Sequence, residues 1–391
     1  MIRVFVMLWL AGLLAGCSTM SSWYEGVLGG EDNSAPLAPL TKIEKPVSLA
    51  RVWSDSIGVG HDEQFVNLAP AVDDGRLYIA DRKGRVVALD AATGKEFWSV
   101  QTGAVLSAGP AVGSGQVLLG SSDAEVIALD SGDGSLRWKV EVSSEVLSQP
   151  RLDLDRVIVQ TADGSIAGLD AENGEQVWVI DRTVPVLTLR GTSSPAVKHG
   201  LVIAGFSNGK LAAFSAEKGF IAWEKSIAIP QGRSELERIV DIDGSPVIAG
   251  DAAYVATYQG RIARIDIQDG NTSWERDMSS SAGLGVDYSQ VYVTDDNSHV
   301  WALSRSNGAS AWKLEALENR GLTAPAPFDD YVVVADTEGY VHLLSRYDGH
   351  IAGRIELDSK GINTPPLVVG DMLYVYGNSG KLAAFSIQES R

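Results

Sequence analysis

One spacing recurs along this chain and limits what it can fold into more than any other feature. Asp or Ser is followed by Gly four residues later and by Trp eight residues later. The pattern is complete in ALDAATGKEFW (88–98), ALDSGDGSLRW (128–138), GLDAENGEQVW (168–178), AFSAEKGFIAW (213–223), RIDIQDGNTSW (264–274) and ALSRSNGASAW (302–312). A seventh copy, LLSRYDGHIAG (343–353), carries Gly353 in the tryptophan slot, and an eighth, AFS (384–386), stops before its Gly and Trp. A second marker lies six residues before each Asp or Ser. It is Gly at 84, 164, 209, 260, 339 and 380, and Ala124 or Ser298 in the other two copies. Self-similarity at this period marks an array of supersecondary units, none of which can bury its apolar face alone.

The chemistry of one unit is that of a small antiparallel sheet. Segments such as RLYIA (76–80), EVIAL (125–129) and GLVIA (200–204) are short and aliphatic, as strands are. The tetrad ending in Gly reads as a hairpin loop in which Gly supplies positive φ and the preceding Asp or Ser accepts backbone N–H bonds. Tryptophan on the closing strand is a flat wedge suited to the space between neighbouring sheets. No 3.6-residue rhythm competes with this reading. Four strands per roughly 40 residues predict an all-β fold, an eight-bladed β-propeller of four-stranded antiparallel blades. The truncated eighth copy needs a closing strand with a tryptophan, and LARVWSDSIG (49–58) supplies one. Trp53 is therefore expected to complete the last blade, so that the N-terminal strand closes the ring; an open solenoid is the rival.

The N-terminus carries a different message. MIRVFVMLWLAGLLAGC has one early positive charge and a short apolar run, a secretory signal too short to span a membrane. Its end, Leu14-Ala15-Gly16-Cys17, resembles a bacterial lipobox, which implies lipid on Cys17, the single cysteine of the chain. Ser18 favours the outer membrane. Residues 1–16 are expected to be the signal peptide, 17–48 a lipidated flexible tether and 49–391 the propeller. Acids outnumber bases 50 to 32, a net charge of −18, which argues against nucleic-acid binding and against adhesion to anionic lipid.

The repeat A-x-D-x-x-T-G-x-x-x-W, complete at Ala88, Asp90, Thr93, Gly94 and Trp98, resembles that of pyrroloquinoline-quinone propellers. Joined to a lipobox and repeated eight times in under 400 residues, it is similar to the BamB family of outer membrane protein assembly factors. The likeness covers essentially the whole mature chain. It implies a non-catalytic scaffold on the periplasmic side of the outer membrane. Its partner would be the periplasmic POTRA domains of BamA within the BAM complex, with nascent outer membrane proteins as further contacts and no cofactor.

The alternatives are a periplasmic quinone-dependent dehydrogenase and a sugar or peptide sensor. Quinoprotein dehydrogenases of this repeat class hold their cofactor over calcium, often beside a disulfide of adjacent cysteines, and this chain has a single cysteine. The histidines at 61, 199, 299, 342 and 350 show no metal-ligand spacing; HDE at 61–63 reads as a solvated loop, and DIDG (241–244) lacks the later ligands of a calcium loop.

Two intervals break the beat. Tryptophans 98, 138, 178, 223, 274 and 312 are spaced by 40, 40, 45, 51 and 38 residues. The extra length falls between blades, in the connectors containing VPVLTLRG (184–191) and IPQGRSELERIVDIDGSP (229–246). Both flank the fourth blade and should meet on one face near the central channel, where enlarged loops of repeat proteins bind. Leu187 and Leu189 alternate, with Arg190 adjacent; Asp241 and Asp243 alternate likewise. Two readings are open from the residues alone: anchors for a partner, or leucines tucked into the core with Arg190 paired internally. The resemblance favours the first, because LTLRG and VDID match segments through which the family engages BamA.

Overall fold

The computed structural model describes residues 35–44, 47–189 and 193–388; the signal peptide, Cys17 and Arg190 lie outside them. Within the described residues, 32 strands group into eight four-stranded antiparallel sheets, seven of them ordered as meanders of consecutive strands. Blade 1 comprises Ala71–Asp73, Arg76–Ala80, Arg85–Asp90 and Glu96–Gln101. Its two middle strands carry the aliphatic residues and bury nearly all of them, whereas the inner strand is short and the outer strand alternates exposed and buried positions. The pattern repeats around the ring because a central strand packs against neighbours on both faces while an outer edge meets water. Blade 8 joins Leu367–Val369, Met372–Tyr376 and Lys381–Gln388 to Ser48–Ser56, with Trp53 opposite Ala384. The ends of the chain thus close the propeller as expected.

Each tryptophan fastens its blade to the next. Trp138 is 7% exposed and donates from Nε1 to the carbonyl of Ala171 at 3.0 Å. Its ring lies on Gly174, where a Cβ would stand 2.7 Å from Cε3. Gly174 has φ +78°, and its N–H donates to Asp170 O at 2.9 Å. One glycine therefore serves two ends, closing a left-handed turn and giving the indole a flat place to lie. The same clasp recurs from Trp53 to Ala91 and Gly94, from Trp178 to Ala216 and Gly219, and from Trp312 to Arg346 and Gly349. The second marker has its own cause. Gly84 and Gly164 sit at φ +90° and +85°, and Ala124 and Ser298 adopt left-handed backbone despite their side chains.

Gly353 breaks the clasp for a reason visible in the packing. A Cβ there would lie 2.7 Å from the carbonyl oxygen of Val47, and Val47 N donates to Ala352 O at 2.8 Å. The chain passes where the indole of blade 7 would stand, and Val47 and Leu49 pack against the core of blades 7 and 8. Upstream, Ala38 N donates to Glu318 O, Arg320 Nη1 to Ala38 O and Arg354 Nη1 to Thr41 O. Leu40 packs into the core of blades 6 and 7. The last part of the stretch assigned to the tether is thus strapped along the propeller.

Antiparallel strands turn at alternate ends of a sheet, so the connectors between blades share one face with the turns between the second and third strands. The first and third turns of blades 1 to 7, and the first turn of blade 8, lie on the opposite face.

A candidate docking site at the channel mouth

Inner strands enter the channel behind a repeated residue. Pro70, Pro150, Pro195, Pro246, Pro325 and Pro366 precede the inner strands of six blades, Pro110 holds the matching place within the longer inner strand of blade 2, Leu106–Gly113, and Gly283 holds it in blade 6. A proline has no N–H to leave unpaired, so it suits the first position of an edge facing open space. On the connector face these segments surround a funnel of about 1100 Å³, whose wall includes Pro70, Pro110, Pro325, Leu189, Asp243 and Phe65.

The two long connectors meet at this rim. Connector 181–195 leads from blade 3 to blade 4, and connector 227–246 leads from blade 4 to blade 5. The amide of Leu189 donates to Asp241 Oδ2 at 2.5 Å, and Ser194 N donates to Ser245 Oγ at 3.1 Å. In the second connector Ile239, Val240 and Ile242 are buried, while the preceding turn, with the 3-10 helix Leu236–Arg238, stays exposed. Ile242 fills the space over Gly205, where a Cβ would lie 2.3 Å from its Cγ2. The aliphatic residues of VDID thus nail the connector to blade 4 and fix where its carboxylates point.

The expected site residues take unequal places. Leu187 is 42% exposed, and Leu189 is half-buried in the funnel wall. Asp243 lines the same wall. Asp241 is 1% exposed and holds the first connector rather than facing solvent; its Oδ1 has no partner among the described residues. Arg190 lies outside the described residues. Sequence reasoning passed over four apolar side chains on the same face: Val186 (89% exposed), Ile229 (69%), Leu236 (67%) and Phe65 (76%). Their signal was an aliphatic or aromatic residue outside any strand pattern, in segments otherwise polar. His61, read as part of a solvated loop, is buried, with Nε2 3.2 Å from Thr364 Oγ1; burial pulls its pKa down to about 4.

Electrostatics set the carboxylates apart. Burial raises Asp241 to about 6 against the opposing pull of the Leu189 amide. Burial, then the charges of Asp241 and Asp296, raise Asp243 to about 7. Both folded values exceed the ordinary 3.8 of an unfolded aspartate, so between about pH 4 and 7 the folded state holds the extra protons. The stabilising contribution is fully present below pH 3.8 and is lost as pH rises through 6 to 7. Asp243→Asn should accordingly raise the unfolding temperature at pH 8 and leave it nearly unchanged at pH 4. Equal gains at both values would show that ionisation is not the cause.

The comparisons now decide the family. A family model described as outer membrane protein assembly factor BamB matches residues 48–106, 83–314 and 316–391. The chain belongs to the BamB family. The BamB protein of Pseudomonas aeruginosa is 51% identical over 365 residues, 93% of this chain and 96% of the relative. The crystal structure of BamB from Moraxella catarrhalis superposes with a TM-score of 0.79 at 28% identity, covering 87% of this chain and 100% of that one. Quinohemoprotein alcohol dehydrogenase from Comamonas testosteroni, at 14% identity and a TM-score of 0.68, covers 88% of this chain and 77% of its own; that likeness shows the fold alone. No helix among the described residues is long and apolar enough to cross a membrane.

Proposed function

We propose that this BamB-family chain is a non-catalytic scaffold lipoprotein of the machinery that assembles outer-membrane β-barrels. It is held at the periplasmic side of the outer membrane through lipid on Cys17. It docks the POTRA domains of BamA on the two long connectors and helps deliver and insert nascent barrel proteins. One observation carries the reading: connectors far apart in sequence are stitched side by side, Leu189 to Asp241, at the rim of a funnel. In the same two connectors Val186, Leu187, Ile229 and Leu236 stand exposed. Apolar anchors in segments that also bring a carboxylate, Asp243, to the funnel wall are the composition of an interface hot spot. Arg190, next to Leu189 in sequence, adds a donor suited to a partner's acids.

Extraction of membranes in mild detergent, capture of this chain and mass spectrometry of what co-elutes test the function. A β-barrel protein with periplasmic modules should co-elute in near-equal amount. Recovery of the chain alone, or with electron-transfer proteins, would contradict the scaffold reading.

A further inference from the structure

Eight outer strands rim the propeller, all within the described residues; that of blade 7, Ile351–Glu356, is met by Val47, whose N–H donates to Ala352 O, and the others present a backbone edge with no further strand of the sheet beyond it. Proteins blunt such edges with charge. At the position after the tryptophan slot, five blades place Lys139, Glu224, Glu275, Lys313 and Arg354, and two place Ser54 and Ser99. The two serine strands carry charge elsewhere, at Asp55 and Glu96. Blade 3 alone departs. Its outer strand, Gln176–Ile180, reads QVWVI and has no charged residue. Val179 stands where the other blades are charged or polar, and Val177, two residues away on the same side of the strand, joins it; they are 42% and 46% exposed. The strand runs straight into the connector that bears Leu187 and Leu189.

We propose that the outer edge of blade 3 is a strand-addition site for an extended, uncharged segment of alternating apolar and polar residues, the pattern of an outer-membrane barrel strand before insertion. The proposal rests on the assembly reading above. Barrel strands alternate in this way and bring unpaired backbone groups until the barrel closes. Strand addition gives affinity through main-chain hydrogen bonds and selects alternate side chains through the groove beside the edge. Val177 and Val179 offer an apolar strip to one side of such a strand, and the absence of charge removes the desolvation that guards the other seven edges. The edge also adjoins the proposed docking connector, so a segment held there lies next to the barrel partner.

The test uses the full chain with benzoylphenylalanine replacing Val177 or, as a control edge, Arg137. The probe is a ten-residue uncharged peptide alternating Val or Tyr with Thr or Gln, compared with a block-scrambled peptide of the same composition. Cross-linking is expected at 177 with the alternating peptide, with little at 137 and little with the scrambled one. Val179→Lys should lower the yield about tenfold or more, with the unfolding temperature held within about 2 °C because the side chain is already exposed. Equal cross-linking at 137 and 177, an undiminished yield in Val179→Lys, or cross-links joining two copies of this chain in place of peptide would overturn the proposal. Leu189→Glu separates the two sites. Peptide capture should survive it, so failure of the edge and failure of the docking site are read independently.

Discussion

Leu189→Glu is expected to abolish capture of the barrel partner while the propeller melts almost where the native protein does. The side chain lies half-buried in the funnel wall beside Asp243, and its backbone amide, not its side chain, holds Asp241. The substitution leaves that stitch in place and sets a third carboxylate among two that burial already disfavours. A central apolar anchor is worth about 2 kcal/mol or more in an interface, which weakens capture by at least ~30-fold. Leu189→Ser, which removes the anchor without adding charge, should show most of the loss. Were Leu189 a core filler, truncation would instead cost about 2–5 kcal/mol of stability, and both variants would unfold early. Capture assays and thermal melts on the two variants distinguish these outcomes.

Trp138→Ala should have the reverse signature, a loss of stability that leaves the docking surface chemically intact. The indole is almost wholly buried between blades 2 and 3, packed on Gly174 with its Nε1 bonded to Ala171 O. Removing it opens a cavity worth about 3–5 kcal/mol, and a ring that depends on every junction has no other contact to compensate. For a chain of this size that lowers the unfolding temperature by about 5 °C. Trp223, only half-buried at the junction of blades 4 and 5, should cost less when truncated. A melt in which Trp138→Ala matches the native protein, or in which Trp223→Ala falls further, would contradict the clasp as the source of ring stability.

What could be read from the sequence follows from how local each signal is. The Asp–Gly–Trp spacing lies within one hairpin, so it showed the blade and, by repetition, the ring; the missing eighth tryptophan even pointed to Trp53. The oversized connectors were visible as intervals. The environment of Asp241 was not, because its carboxylate is buried by a connector 52 residues away in sequence that supplies the Leu189 amide. Nor was the role of Gly353, which looks like a lost tryptophan and is in fact room for Val47. Both depend on which segments pack together after folding. Phe65, Val186, Ile229 and Leu236 escaped notice for a related reason, since an aliphatic or aromatic residue in a connector is core or surface depending on neighbours that spacing does not identify.

If the two connectors form one docking surface at the channel mouth, a partner should cover both at once. Hydrogen exchange of the full chain, with and without the periplasmic modules of its barrel partner, addresses it most directly. Amides of 184–189 and 239–245 should slow together when the partner is added, with loops of the opposite face, around Leu154 and Tyr288, unaffected. Protection on that opposite face, or on one connector without the other, would contradict the account.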